Sequence, residues 1–232
     1  VACVLITLLF LMPSLAFVPK AVLSATVIVA VMNLFQPRQF LALWRISRAE
    51  TITAGLTFVI TLLTAPAIYW GVLAGVLMTL AHFLYQRLHP RIIEIGLHED
   101  GSLRDRHLWQ LPPLAPDLFA LRMDAELDFA AASALERAVL THVSEHPDVR
   151  HVCLFAHTIN RIDATGVDTM RKLEALLQER DITLHISGIK LPVETVLLRA
   201  GCLTPREGLR LYRTDAQAVQ ALQQQAFTGT SI

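Results

Sequence analysis

Asp163-Ala164-Thr165-Gly166 is the stretch of this chain best suited to a regulatory task. A carboxylate and a hydroxyl ahead of an apolar-periodic segment are the groups that accept hydrogen bonds from the free N–H groups of a helix's first turn. We read Asp163 and Thr165 as caps of a helix beginning near Gly166, with a regulatory loop as the functional alternative. His142 and His146 have the four-residue spacing of a metal pair on one helix face, and His151 and His157 follow. No third ligand lies beside them, so a solvated helix face is the preferred reading. Asp124, Glu126 and Asp128 alternate as on a strand and read as surface charge on one face. Cys3, Cys153 and Cys202 fit no metal or disulfide spacing. The chain has no glycine-rich phosphate loop, nucleophile elbow or pair of catalytic carboxylates. That argues against an enzyme and gives no reason to expect a metal or cofactor.

The elements that must hold these residues fall into two unlike halves. Hydrophobic residues make up 53% of the chain and charged ones 17%, with 20 basic against 20 acidic side chains, and the mean hydropathy is +0.48. Such a composition is too apolar for an ordinary soluble domain. Neither half carries a basic stripe, which excludes nucleic acid as a partner. Residues 51–86 contain no Asp, Glu, Lys or Arg. That run is too long for one span of about 20 residues and suits two, with a turn at Pro66. Residues 1–18 and 21–35 read as two further spans, making about four in all. Between the pairs, residues 36–50 carry Arg38, Arg45 and Arg48 with Phe40, Leu41 and Trp44, the pattern of an interfacial amphipathic helix. Gly71 and Gly75 have the spacing that lets two helices approach closely.

This arginine-rich segment and the exit at Arg87, His89 and Arg91 lie two spans apart, hence on one side of the membrane. The positive-inside rule makes that side cytoplasmic. The chain is apolar from Val1 and shows no signal-peptide pattern, so we expect it to be the C-terminal part of a longer membrane protein. None of the four spans contains a carboxylate or an arginine of the kind that marks an ion pathway, which places an expected substrate site upstream.

The second half alternates strands and helices. After a linker with Pro112, Pro113 and Pro116, strands are expected at 118–123, 149–156, 182–186 and 209–212. Helices are expected at 129–146, 166–180, 192–200 and 215–227. Pro192 suits a first helical turn, Gly201 a helix end, and Asp215 an N-cap. This order implies an α/β domain with a mostly parallel sheet flanked by helices.

At this point a resemblance enters. Residues 10–31, the segment Leu43 to Glu50 and the Gly71 to Val76 stretch resemble the late membrane helices of the sulfate permease (SulP) anion transporters. Leu121 to Ala130 and Ile162 to Gly166 resemble the STAS domain that ends those transporters. The resemblance implies that residues 1–87 supply the last helices of a gate domain, 88–116 a linker and the start of the cytosolic region, and 117–230 the STAS domain. It implies secondary active transport of sulfate or a related small anion such as bicarbonate. The anion would bind between half-helices of a separate core domain, so no substrate-binding residue is expected here.

The implied partners are the anion, the lipid bilayer, a second copy in a homodimer and a cytosolic protein acting on the STAS domain. The implied place is the inner (plasma) membrane, multi-pass, with that domain in the cytoplasm. In related anti-sigma antagonists the residue after the loop aspartate is often a phosphorylated Ser; here it is Ala164, which accepts no phosphate. Two alternatives stand beside transport: a membrane-tethered STAS signalling module binding a protein or nucleotide, and a scaffold without flux.

Overall fold

The apolar part of the chain is built from helices. The computed structural model describes residues 19–32, 37–204 and 208–229, and the chain divides into two units, Val1–Ala81 and His82–Ile232. The first contains α1 (Lys20–Met32), α2 (Pro37–Ile46), α3 (Arg48–Leu63) and most of α4 (Tyr69–Leu88). The first expected span, with Cys3, lies outside the described residues. The amphipathic segment is the separate helix α2, as its pattern requires. Ser47 then caps α3, its Oγ accepting the Glu50 N–H at 3.3 Å, in the Ser-x-x-Glu arrangement of a capping box.

At about 1.5 Å per residue, α1 (13 residues) and α3 (16 residues) fall short of a hydrocarbon core about 30 Å thick. Among the described residues α4, with 20, is the one helix long and apolar enough to cross a membrane. Large apolar side chains of α3 and α4 stand exposed, Leu63 and Trp70 among them. That is the surface expected of helices whose solvent is lipid or other helices.

α3 and α4 meet along small residues. On α3, Thr57 and Thr61 turn their hydroxyls inward, each donating to the carbonyl four residues back at 2.7 Å. Gly71 of α4 sits against Thr61: an added Cβ would lie 2.6 Å from the Thr61 Cα. The contact is therefore backbone on backbone, with no side-chain end free to move aside.

The second unit holds a six-stranded sheet in the order β2-β1-β3-β4-β5-β6. Its strands are β1 (Ile92–Leu97), β2 (Leu103–Asp105), β3 (Leu118–Met123), β4 (His151–Phe155), β5 (Thr183–Ser187) and β6 (Leu209–Tyr212). β3 to β6 run parallel, as the alternation of elements predicts, but β1 is antiparallel to both β2 and β3, so the sheet is mixed. β1 and β2 form a hairpin inside the stretch that the sequence alone presents as a linker.

Helices α5 (Ala132–Glu145), α6 (Ala164–Gln178), α7 (Leu191–Arg199) and α8 (Asp215–Gly229) flank the sheet. One core packs α5, α6 and α7 on Leu121, Leu154 and Ile186, and the other packs α8 on Ile95, Cys153 and Phe155. Strands covered on both faces must be apolar throughout, which is why β3 and β4 read as continuous runs rather than alternations. Gly201, at φ +69°, closes α7 as expected.

Gly71→Val should overpack the α3–α4 contact and destabilise the helical hairpin by about 2 kcal/mol. The thermal midpoint of the detergent-solubilised protein should fall accordingly; an unchanged midpoint would contradict the close approach.

Candidate functional site

Asp163 caps α6 and does more. Its Oδ1 accepts the Gly166 N–H at 2.8 Å, and its Oδ2 accepts the N–H of Phe129, in the preceding β3–α5 loop, at 3.0 Å. The two loops are also joined through their backbones. Leu127 N–H donates to the Arg161 carbonyl at 3.0 Å, and Asp163 N–H to the Leu127 carbonyl at 3.3 Å. Gly166 completes the junction, since a Cβ there would overlap the Leu127 carbonyl oxygen. The helix begins at Ala164, two residues before the expected start. Ala164 and Thr165 are exposed in its first turn, and Thr165 makes no side-chain hydrogen bond among the described residues, so the cap is Asp163 alone.

Asp124, Glu126 and Asp128 do not lie on a strand. β3 ends at Met123, and the three acids occupy the loop that follows, where each has a partner. Arg122 takes Asp124 through two nitrogens, at 2.8 and 3.3 Å. Asp128, its side chain 8% exposed, opens the way into α5: Oδ1 accepts the N–H groups of Ala130 and Ala131 at 3.1 and 3.2 Å. Its Oδ2 accepts from Arg87 Nη1 at 3.3 Å. Glu126 Oε2 accepts from the same Arg87 nitrogen at 3.1 Å and lies 3.3 Å from Arg161 Nη2.

Two cations and two anions therefore close a neutral cluster at the carboxyl ends of β3 and β4, the edge at which open α/β sheets gather their ligands. Beside it lies a cleft of about 410 Å³, bordered by Gln86, Arg87, His89, Glu126, Thr158 and Asn160. Arg87 occupies the last turn of α4, where a positive charge suits the negative end of the helix dipole, and its guanidinium lies 5.7 Å from the Phe83 ring centre. Sequence reading assigned Arg87 only to membrane topology and missed this cluster. Its members are 39 and 41 positions apart along the chain, a separation that no local pattern bridges.

A second polar system runs under α8. His185, fully buried, contacts the Tyr212 hydroxyl through Nδ1 and His151 Nδ1 through Nε2, both at 3.2 Å. His151 Nε2 in turn lies 3.8 Å from Asp117. An N–H facing that carboxylate, rather than a lone pair, fixes the direction of the chain. Tyr212 donates to His185, His185 donates to His151, and His151 points its proton at Asp117. Burial, reinforced by His151 and Arg210, pushes the His185 ring down to about 3, while burial lowers His151 and raises Tyr212.

Asp215 accepts from the buried Ser187 hydroxyl at 2.6 Å, and His157 Nδ1 lies 2.9 Å from its other oxygen without hydrogen-bond alignment. The carboxylate thus separates the serine from the histidine, which makes no direct contact with the hydroxyl. Asp215 also cedes the expected N-cap role: Thr214 Oγ1 accepts the Gln217 N–H at 3.3 Å instead. His142 and His146 stack ring on ring, 4.2 Å between centres, with His142 also stacked on Phe119. His146 Nδ1 is engaged with the His142 carbonyl at 3.0 Å. Among the described residues no group of three or more His, Cys, Asp or Glu is placed to hold a metal ion.

Two measurements test these assignments. Asp163→Ala should cost about 1–2 kcal/mol in urea unfolding, since it removes a cap and a tie to a second loop; a loss below 0.3 or so would leave the residue without its role. His185 takes up its proton from an ordinary 6.5 in the unfolded chain but only near 3 when folded. The unfolded state then binds more protons between those values, so stability is complete above pH 6.5 and declines as pH falls toward 3, by at most about 1.4 kcal/mol per unit. A flat unfolding midpoint from pH 7 to 4.5 would show that the ring is not held neutral.

With this geometry in place, comparison with known proteins is informative. Residues 113–218 match the model of the STAS domain, and residues 1–57 that of the Sulfate permease family. High affinity sulfate transporter 1 of Stylosanthes hamata is 27% identical over 228 residues, covering 93% of this chain and 34% of its own length. A probable sulfate transporter of Mycobacterium tuberculosis is 29% identical over 220 residues, with 94% and 39% covered. The sodium-independent sulfate anion transporter of Bos taurus is 29% identical over 227 residues, with 98% and 33% covered. The chain thus spans about a third of the length of these relatives. The murine Solute Carrier 26 family member A9 anion transporter, solved in an inward-facing state, shares the fold with a TM-score of 0.72 over 93% of this chain and 36% of its own, at 18% identity. The likeness to the solved transporter is one of fold, and the two family models follow one another along this chain, the Sulfate permease family and then the STAS domain.

Proposed function

We propose that this chain forms part of a secondary active transporter that moves sulfate, or a related small anion such as bicarbonate, across the inner (plasma) membrane. The observation that carries this reading is the succession of two family matches along one chain, membrane stretch then STAS domain, in the order shared with relatives named as sulfate transporters. Residues 1–87 then act as gate helices against which an anion-binding core moves. The tight α3–α4 contact makes that pair a rigid support. Residues 88–116 lead into the cytosolic part, and 117–230 act as the regulatory domain.

The arginines of α2 and the exit at Arg87, His89 and Arg91 support a cytoplasmic STAS domain, and a homodimer is the expected assembly. Asp163, Ala164, Thr165 and Gly166 form the regulatory loop of this reading. Ala164 offers no hydroxyl, and the exposed apolar ring of Phe129 beside the loop favours regulation by a protein partner over phosphorylation at that position.

The open reading frame that encodes the chain, expressed in a strain lacking its own sulfate uptake, should give saturable uptake of labelled sulfate. Bicarbonate is tested alongside, and each anion is competed with unlabelled dicarboxylate. No uptake of either, from protein demonstrated in the membrane, would replace transport with the tethered STAS signalling module.

A further inference from the structure

We propose that Glu126 is a toggle between Arg87 and Arg161, and that Arg87 is the positioning residue through which the Asp163–Gly166 loop sets the last turn of α4. This deepens the transport reading and rests on it. The geometry that carries it is the sharing of single atoms. Arg87 Nη1 serves both Glu126 Oε2 and Asp128 Oδ2, at 3.1 and 3.3 Å, and Glu126 Oε2, which accepts from Arg87 Nη1, also lies in an ion pair 3.3 Å from Arg161 Nη2. A hydrogen-bonding atom divided between two partners tightens on one when the other leaves. Withdrawal of Arg161 strengthens Glu126–Arg87, and a closer hold by Arg161 leaves Arg87 to Asp128 alone. The cluster thus has two arrangements of equal net charge, the bistable element that coupling between sites requires.

Its two ends differ in access. The Arg161 side chain is 67% exposed and stands two residues before the helix cap, its carbonyl bonded to Leu127 N–H. It is the arm that an anionic group on a docking protein would draw away. Asp128 is buried and fixed by the two N–H groups it caps, so it serves as the stationary anchor. Arg87 has no comparable freedom: the helix ends one residue later, and Phe83 lies beneath its guanidinium. A change at the exposed arm is therefore expressed as a change in how firmly the end of α4 is held.

The test is a set of single and double variants of the intact protein in lipid nanodiscs, read by amide hydrogen exchange and by sulfate uptake. Arg87→Gln should speed exchange at Ala130 and Ala131 about fivefold, the equivalent of one hydrogen bond. It should also lower maximal uptake with KM unchanged, and Arg87→Lys should recover part of both. Arg161→Gln should speed exchange at the same two amides, because Glu126, freed, draws Arg87 Nη1 away from Asp128. The Arg87→Gln, Glu126→Gln double variant should be no worse than Arg87→Gln, since both act on one contact. A merely structural brace predicts no change at those amides in Arg161→Gln, since Arg161 faces Glu126 and not Asp128, and that result overturns the toggle. Additive effects in the double variant, or unchanged amides in Arg87→Gln, overturn it as well. Absence of uptake by the unaltered protein sinks the transport reading alone, and the exchange pattern still decides the toggle.

Discussion

Where β3 and β4 break into loops, backbone N–H groups lose their ladder partners in a partly buried place, and two aspartates meet that need. The constraint is general: the first turn of a helix leaves donors without intrahelical acceptors, and burial makes leaving them unpaired costly. Parallel strands bring the helix starts that follow them to one edge of the sheet, so the α5 and α6 N-termini gather there with the acids that serve them. Each carboxylate has two oxygens, and one is enough for the turn it closes, the start of α6 for Asp163 and the turn leading into α5 for Asp128. Asp128 gives the other to Arg87, and Asp163 gives the other to Phe129 N–H. A cap thereby becomes a tie, and the two loops and the end of α4 are held by groups already required for folding.

These ties contribute little to global stability. The Arg87 side chain is 37% exposed and Glu126 30%, a setting in which screening and side-chain entropy reduce an ion pair to about 1 kcal/mol or less. The bulk of folding energy lies in the two apolar cores on either face of the sheet. The cluster is better understood as fixing geometry than as adding strength. Buried His185 shows the contrast: it sits within the core, and its neutrality is enforced by desolvation. Its two nitrogens are satisfied only through neighbours on adjacent strands, so it specifies the pairing of β4, β5 and β6.

The parts of this fold that were legible in the sequence are those decided locally. The continuous apolar runs of β3 and β4 announce strands covered on both faces, Pro192 and Gly201 mark the ends of α7, and Asp163 stands where a cap is needed. The β1–β2 hairpin was hidden because β1 pairs with β3 across an intervening loop, and because the segment between its strands is short. The Asp100-Gly101 pair, with Gly101 at φ +79°, was its local signal. Asp124, Glu126 and Asp128 misled through their period of two, which a loop acquires by chance as easily as a strand by design. Thr214 and Asp215 are both good caps by residue type; the choice fell to Thr214 because Ser187 and His157 engage the Asp215 carboxylate. Tertiary partners decide such cases, and they are not written in spacing.

The position of Arg87 follows from chain connectivity. α4 ends at Leu88, Pro90 blocks its continuation, and β1 begins at Ile92. The four Cα steps from Leu88 to Ile92 reach no more than about 14 Å, so the end of the helix must lie near the start of β1. That strand is in register with β3, Ile92 opposite Met123, and the acidic loop leaves β3 at the next residue. A basic residue in the last turn of α4 is thereby brought within side-chain reach of Glu126 and Asp128 by covalent geometry, before any charge attraction acts. The attraction then selects among the rotamers of the Arg87 side chain. For that reason a modest interaction, worth little as stability, is sufficient to place the guanidinium between Glu126 and Asp128.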